Sequence, residues 1–476
     1  MARRGARPAW WGGRRHTWFT VTVFVVLASL DNAALGVPIP LIPVISEDLG
    51  VSEASIGYVT AASILIVGVA SVVWGFLGDR GGRKRLLLYG TFTWSIAFFF
   101  AGLSGSYLQY LVFEIIAAVG MGGIASVGFS VISDFVPPRR RGLMMGMWGL
   151  SQGVGVGGGL LLGGLLGAGN WSVPFFLVAA AGLASAALYF GAYDPERGRS
   201  EEELAGVFAA GGGYEHTITA GDALRLLQVR SNVWLIAQGF TAQFAYGALI
   251  WLPLMFTAKV EAQGYSLETA IIVGSLFAVI FQVGGLFSLL GGHIGDRWQR
   301  RDPRGRALLS AIGILGAIPF YLGLFFLPLR GLDVPDGGET AAVIWAVAVS
   351  VVTNPWVAGA FVLGLVAVAL TAVDAPNWFA LINDVNLPEH RGTTFGLGNL
   401  TFSVGRSLGT GVTGVTFGYL AVLYPEPLNI VLGLALFQVF FLPTAFFYYR
   451  ASKTTPRDIA RVKATLASRA RAQPLA

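Results

Sequence analysis

Four ionisable residues, Asp31, Glu114, Asp374 and Arg406, stand inside long apolar runs of this chain. A charged side chain at the middle of a lipid-facing run costs at least ~2.5 kcal/mol, so each is a functional candidate by default. Asp31 lies halfway along the first run. Its carboxylate either takes a proton on one side of a membrane and releases it on the other, or forms a structural hydrogen bond to Asn32 or a neighbouring helix. Glu114 lies in the outer third of its run, within reach of water. Asp374 is followed by Pro376, which removes a backbone donor and bends the chain there. Arg406 offers a planar fork of donors that suits an anionic head group or neutralises Asp374. Asn32 and Asn377 add polar groups expected to face inward, as do Gln152, Gln243, Gln282 and Asn399, although bonds between helices explain such groups equally well. Cysteine is absent, and the four histidines, His16, His216, His293 and His390, fall in segments assigned to loops or the N-terminal arm. No converging catalytic set, metal site or cofactor is expected.

The elements that must position these residues are set by composition. With 54% hydrophobic and 12% charged residues, the 476-residue chain cannot present a surface that water tolerates. A bilayer-crossing helix needs about 20 mainly apolar residues, and twelve such runs are present. They cover 17–45, 54–77, 86–104, 107–134, 142–167 and 171–193, then 232–256, 269–292, 307–329, 355–384, 393–421 and 427–449. Lipid forces each to satisfy its own backbone, which makes them helices. Of the 32 lysines and arginines, all but Lys259, Arg330 and Arg406 fall in segments that an inside N-terminus places in the cytoplasm. The net charge of +6 therefore follows from topology and from anionic lipid, and nucleic acid is not implied. The Arg-rich start precedes a run too long for a signal-peptide core, so the first helix is expected to stay in a cell membrane with both termini cytoplasmic.

The chain is duplicated. Gly75 to Lys84, containing Gly78-Asp79-Arg80 and Arg83, recurs as Gly292 to Arg301, containing Gly295-Asp296-Arg297 and Arg300. Asp134 to Gly142 recurs as Asp384 to Gly392. Asp79 and Asp296 are 217 residues apart but Asp134 and Asp384 are 250 apart, so the second half carries an insertion between those landmarks. The organisation expected is a six-helix bundle over 1–193, a cytoplasmic linker over 194–231, and a second bundle over 232–450 with an outer-face insertion near 331–354. A basic cytoplasmic tail fills 451–476. The insertion should contain a short helix anchored by Trp345 and Trp356, and Ile459, Val462 and Leu466 in the tail suggest a helix lying on the inner leaflet. Glycines crowd the fifth and eleventh spans, where small residues permit close helix contact.

Twelve spans, a twofold repeat and the Gly-x-x-x-Asp-Arg-x-x-Arg-Lys loop resemble the major facilitator superfamily over essentially the whole chain. The resemblance implies an all-α membrane protein, a monomer, with two pseudo-symmetric six-helix bundles around a cavity that opens alternately to each side. Within it the chain is most similar to Spinster-type carriers, through Asp31-Asn32 in the first span and Pro376-Asn377-Trp378, Asp384, Pro388, Arg391 and Thr393 after the tenth. It departs from them in the fourth span, where Gly122-Gly123-Ile124-Ala125-Ser126 stands in place of Gly-Glu-Ala-Ser. The Spinster resemblance implies a lysophospholipid or similar amphiphile as substrate, carried with protons among membrane lipids. A multidrug or organic-anion carrier and a lipid-modifying membrane enzyme are the alternatives. The superfamily also implies that Asp79, Arg80 and Arg83, with Asp296, Arg297 and Arg300, act as gates that pair with carboxylates such as Asp134 and Asp384 at the inner ends of neighbouring helices.

Overall fold

The computed structural model describes residues 14–167, 170–337 and 339–472, and among them the twelve apolar runs are all helical. The helices are α1 (Arg14–Gly36), α2 (Glu53–Arg80), α3 (Arg83–Ala101), α4 (Tyr107–Phe135), α5 (Arg141–Leu166) and α6 (Ser172–Tyr189). After the linker come α7 (Arg230–Glu261), α8 (Leu267–Gln282, continued through a tight turn to Gln299) and α9 (Gly305–Phe326). The inserted apolar run forms α10 (Thr340–Thr353), followed by α11 (Pro355–Val385), α12 (Arg391–Ala421) and α13 (Leu428–Ala472). Eight of these helices are long and apolar enough on their own to cross a bilayer. Of the others, α10 is too short, α3 begins Arg-Lys-Arg, and α12 is rich in glycine and threonine.

The first run, expected to reach 45, ends as α1 at Gly36, where Pro38 and Pro40 follow, and a separate short helix occupies Ile42–Asp48. The expected stop near 449 does not occur. Instead α13 runs on to Ala472, and the apolar face of its last turns is covered by protein rather than lipid. Val462 and Leu466 are buried with Leu204 of the linker, with Phe208, Tyr214 and Leu387 against them. His16 lies within α1, its ring nitrogen 2.8 Å from the Gly191 carbonyl oxygen, so it is not a residue of the arm. Trp345 and Trp356 are exposed, and Asn354 caps α11 while donating to the carbonyls of Arg330 and Gly331.

Contacts divide the chain into two compact units. One holds 1–232 together with 382–400 and 457–476; the other holds 233–381 and 401–456. Within the first, α5 lies against α1 through Gly155 and Gly159, where an added Cβ would stand 2.1 Å from the carbonyl oxygens of Ser29 and Ala33. Within the second, α12 lies against α7 through Gly405 and Gly409, whose Cβ atoms would stand 2.6 and 2.2 Å from the carbonyl oxygens of Phe240 and Phe244. The two seams sit 250 residues apart, so the repeat read in the sequence is also a repeat in packing.

Gly159→Leu should push α1 from α5 and cost at least about 1–3 kcal/mol, whereas Gly157→Leu meets open space and should be neutral. Thermal unfolding in detergent, followed by size exclusion, checks the difference; equal losses for both would remove the seam as the cause.

Candidate transport cavity and basic-face latch

The α11 helix breaks just before Asp374, which starts its second segment with Pro376 in the first turn. Proline is tolerated there because the first-turn N–H groups have no helical partner, and a carboxylate at that end meets the favourable pole of the helix dipole. Asp374 is buried, yet among the described residues no cation balances it. Its carboxylate accepts hydrogen bonds from the hydroxyl of Tyr448, from Gln238 Nε2 at 3.2 Å and from the hydroxyl of Tyr246 at 3.5 Å. It faces a cavity of about 240 Å³ walled by Tyr246, Trp378, Phe379 and Phe402, with Gln238 and Gln243 adding polar edges. The Oε1 atoms of both glutamines are buried without a hydrogen-bond partner among the described residues. An aromatic box holding one carboxylate and two unused carbonyl oxygens is equipped for a small cationic or hydrogen-donating group.

Of the two roles open to Arg406, neutralising Asp374 is not seen: among the described residues no ion pair joins them. Its side chain is exposed, and three neutral donors occupy the carboxylate instead. Arg406 stands one helical turn beyond Phe402 of the cavity wall, a spacing that puts both on one helix face.

Asp31 is 4% exposed and its Oδ1 has no hydrogen-bond partner. Asn32 is turned away, donating to the Ala28 carbonyl 2.8 Å off. Glu114 is buried rather than close to water: Ser63 Oγ stands 3.5 Å from its Oε2, and its Oε1 is unpartnered. Asn377 is spent on packing, donating to the carbonyls of Gly291 and Val373. The repeat partner of Asp374 is Ile124, where α4 opens into a π turn over Ile124–Gly128. Both copies thus interrupt the helix at the equivalent place, and π turns are commonly retained at functional sites.

The second constellation joins residues of both sequence halves within the first unit. Arg141, at the start of α5, pairs with Asp384 at 2.7 Å. Arg391, at the start of α12, lies 3.6 Å from Asp134. Asp134 and Arg141 correspond to Asp384 and Arg391 at the repeat offset of 250, so these are reciprocal pairs, each arginine reaching the other copy's carboxylate. Glu201 of the linker lies between them, its Oε1 bonded to Arg141 and, at 2.5 Å, to Arg391. Arg83 fills the other side of Asp134 at 2.5 Å. Beside this cluster, Asp79 accepts from the Gly392 N–H at 3.1 Å and from the N–H and hydroxyl of Thr393 at 2.6 and 2.8 Å. It thereby satisfies the otherwise unpaired first turn of α12. Gly75 permits the approach, since a Cβ there would stand 2.3 Å from the Gly392 carbonyl oxygen.

The second copy of the gate motif is wired differently. Asp296 pairs with Arg306 at 2.6 Å, while Arg297 and Arg300 are exposed. Arg80 is exposed as well, its guanidinium over the Phe76 ring. Arg141, Arg391 and Glu201 were not among the gate residues read from the sequence. The first two carried a signal, an Asp-x6-Arg spacing in each copy; Glu201 carried none.

Compared with known proteins, residues 22–410 match the family model described as Major Facilitator Superfamily. The chain belongs to that superfamily. As a major facilitator it is a multi-pass membrane transporter and not an enzyme. The cis,cis-muconate transport protein of Acinetobacter baylyi is 24% identical over 64% of this chain and 73% of its own length. The protein spinster of Drosophila melanogaster is 24% identical over 66% of this chain, which spans about half (51%) of that relative. A crystal structure of a bacterial homologue of the human lysosomal transporter Spinster, inward-facing and unoccupied, shares the major facilitator fold. It has a TM-score of 0.56 and 19% identity, and covers 94% of this chain and 99% of its own.

Burial pushes the Glu201 carboxyl up, but Arg141 and Arg391 outweigh it and hold the group at about 2, below the usual 4.5. The stabilisation it gives is therefore complete above about pH 4.5 and is lost as pH falls towards 2. Glu201→Gln takes away the carboxylate that two buried guanidiniums share, leaving each with one aspartate and the cluster with an uncompensated charge, and should cost ~3–5 kcal/mol at pH 7. The gap in melting temperature between wild type and variant should narrow below pH 4.5; a gap independent of pH would show that charge is not what Glu201 supplies.

Proposed function

We propose that this major facilitator is a proton-coupled secondary carrier for a lysophospholipid-like amphiphile. It works by alternating access as a monomer in the cell membrane with both termini in the cytoplasm. The observation that carries the reading is the aromatic cavity closed by Asp374. Rings and a carboxylate together suit an ammonium group, which is drawn to the negative ring faces and to the charge. Arg406, one turn beyond the cavity wall, would take the phosphate of the same head group, so the pair favours a zwitterionic head over a purely anionic one. The likeness to Spinster proteins supports an amphiphile. The likeness to a muconate carrier supports a second reading, an organic-anion carrier, but a dianion would meet Asp374 as a like charge.

Proton coupling rests on buried carboxylates without a cation. Asp31 and Asp374 occupy separate units; Asp31 would be neutral when enclosed and charged when water reaches it, and Asp374 would do the same unless the ammonium group takes the proton's place. The crossed pairs Arg141–Asp384 and Arg391–Asp134, with Asp79 on α12, serve as the latch of the cytoplasmic side. Substrate reaches the cytoplasm only after they part.

In proteoliposomes, choline-headed lysolipid should enter faster under an imposed pH gradient. Asp374→Asn should slow that uptake at least tenfold, about 1.4 kcal/mol, while sparing lysophosphatidate. Asp31→Asn should abolish the gradient effect in a protein that still folds. Identical losses for both lipids would refute the ammonium assignment, and a preserved gradient response in Asp31→Asn would refute that residue as the coupling site.

A further inference from the structure

A second and larger cavity, of about 460 Å³, lies in the first unit apart from the transport machinery. Three segments far apart in sequence wall it: the linker with Asp222 and Arg225, the turn after α11 with Asn386 and His390, and the end of α13 with Arg461 and Thr465. Its charge is predominantly positive. Asp222 is already committed, accepting hydrogen bonds from the N–H and hydroxyl of Thr219 that cap a short helix. Asn386 is committed likewise, paired amide to amide with Asn232. Arg225 is exposed. Arg461 is half exposed, and its Asp458 contact is loose at 3.6 Å. Two guanidiniums therefore line an open recess with their donors largely unspent among the described residues, an arrangement suited to phosphate oxygens.

The rim says where that phosphate comes from. Leu224 and Leu227, either side of Arg225, are 77% and 50% exposed, which a surface facing only water does not favour. Val229, in the cavity wall, directly precedes Arg230, the first residue of the spanning helix α7. A basic recess beside exposed leucines at the start of a span lies at the depth of lipid head groups.

We propose that this recess binds the phosphate of an anionic phospholipid of the inner leaflet, with Leu224 and Leu227 seated among its acyl chains. Occupancy stabilises the latch. His390 directly precedes Arg391, and the neighbouring Glu389 is held by Arg469 of α13 at 2.7 Å and by Tyr214 of the linker at 2.7 Å. A lipid bridging linker, turn and tail holds in place the segments that carry Arg391 and Glu201. The site is thus regulatory and independent of the identity of the cargo.

The test is melting of the full-length protein in a neutral detergent with added phosphatidylglycerol, phosphatidylcholine or inorganic phosphate. Phosphatidylglycerol should raise the melting temperature by several degrees, and the other two should not. Arg225→Ala/Arg461→Ala should lose at least half of that shift, and Leu224→Gln/Leu227→Gln should lose it with the arginines intact. Asp374→Asn should keep it, which separates this recess from the cargo cavity. A full shift with inorganic phosphate alone would make the recess a soluble-anion site. An undiminished shift in either double variant, or its loss in Asp374→Asn, would overturn the proposal.

Discussion

Charge withdrawn from water must find compensation, and this chain meets that demand in two opposite ways. At the basic ends of its helices, the buried Arg83, Arg141 and Arg391 are matched by buried Asp134 and Glu201 and by Asp384, which is partly buried. Each member is tolerable only because the others are present, since removing one leaves an uncompensated ion in a poor solvent. In the spans, Asp31, Glu114 and Asp374 have no such company; neutral hydroxyls and amides serve Asp374, and one oxygen of each of the other two is bare. The first arrangement resists change of charge state and the second invites it.

The packing follows the same division. Where the halves of the sequence are stitched, Gly75 and Gly396 let backbones touch, so that the Asp79 carboxylate reaches the first turn of α12 directly. Where helices of one unit must lie close, Gly155 and Gly159 do for α1 and α5 what Gly405 and Gly409 do for α7 and α12. Helices in lipid gain little from hydrophobicity when they associate, so this contact depends on fit.

Much of the scaffold was legible because lipid enforces simple rules. Apolar runs near twenty residues had to be helices, and a second Asp-Arg loop at Asp296 had to mark a repeat, although the first helix ends at Gly36, short of its apolar run. The isolated charges were legible for the same reason: Asp31 and Asp374 are conspicuous against leucine and valine. Their surroundings were not, since Gln238, Tyr246 and Tyr448 are ordinary residues of α7 and α13 that become a site only when those helices meet α11. The reach of α13 was misjudged because its basic, amphipathic end reads equally well as a helix on lipid and as one covered by a linker. Glu201 was hidden among neighbouring acids, and only the fold distinguishes it from Glu202, half exposed beside Arg139.

The single oxygen of Glu201 shared by two arginines has a dynamic consequence. Neither guanidinium can leave alone without shifting the partner that remains, because both draw on one atom. If this cluster is the proposed latch, separation of the two sequence halves at this end would be a cooperative event with few stable intermediates. The segment joining them is therefore no slack tether: on the latch reading it would be the detent that makes the motion discrete.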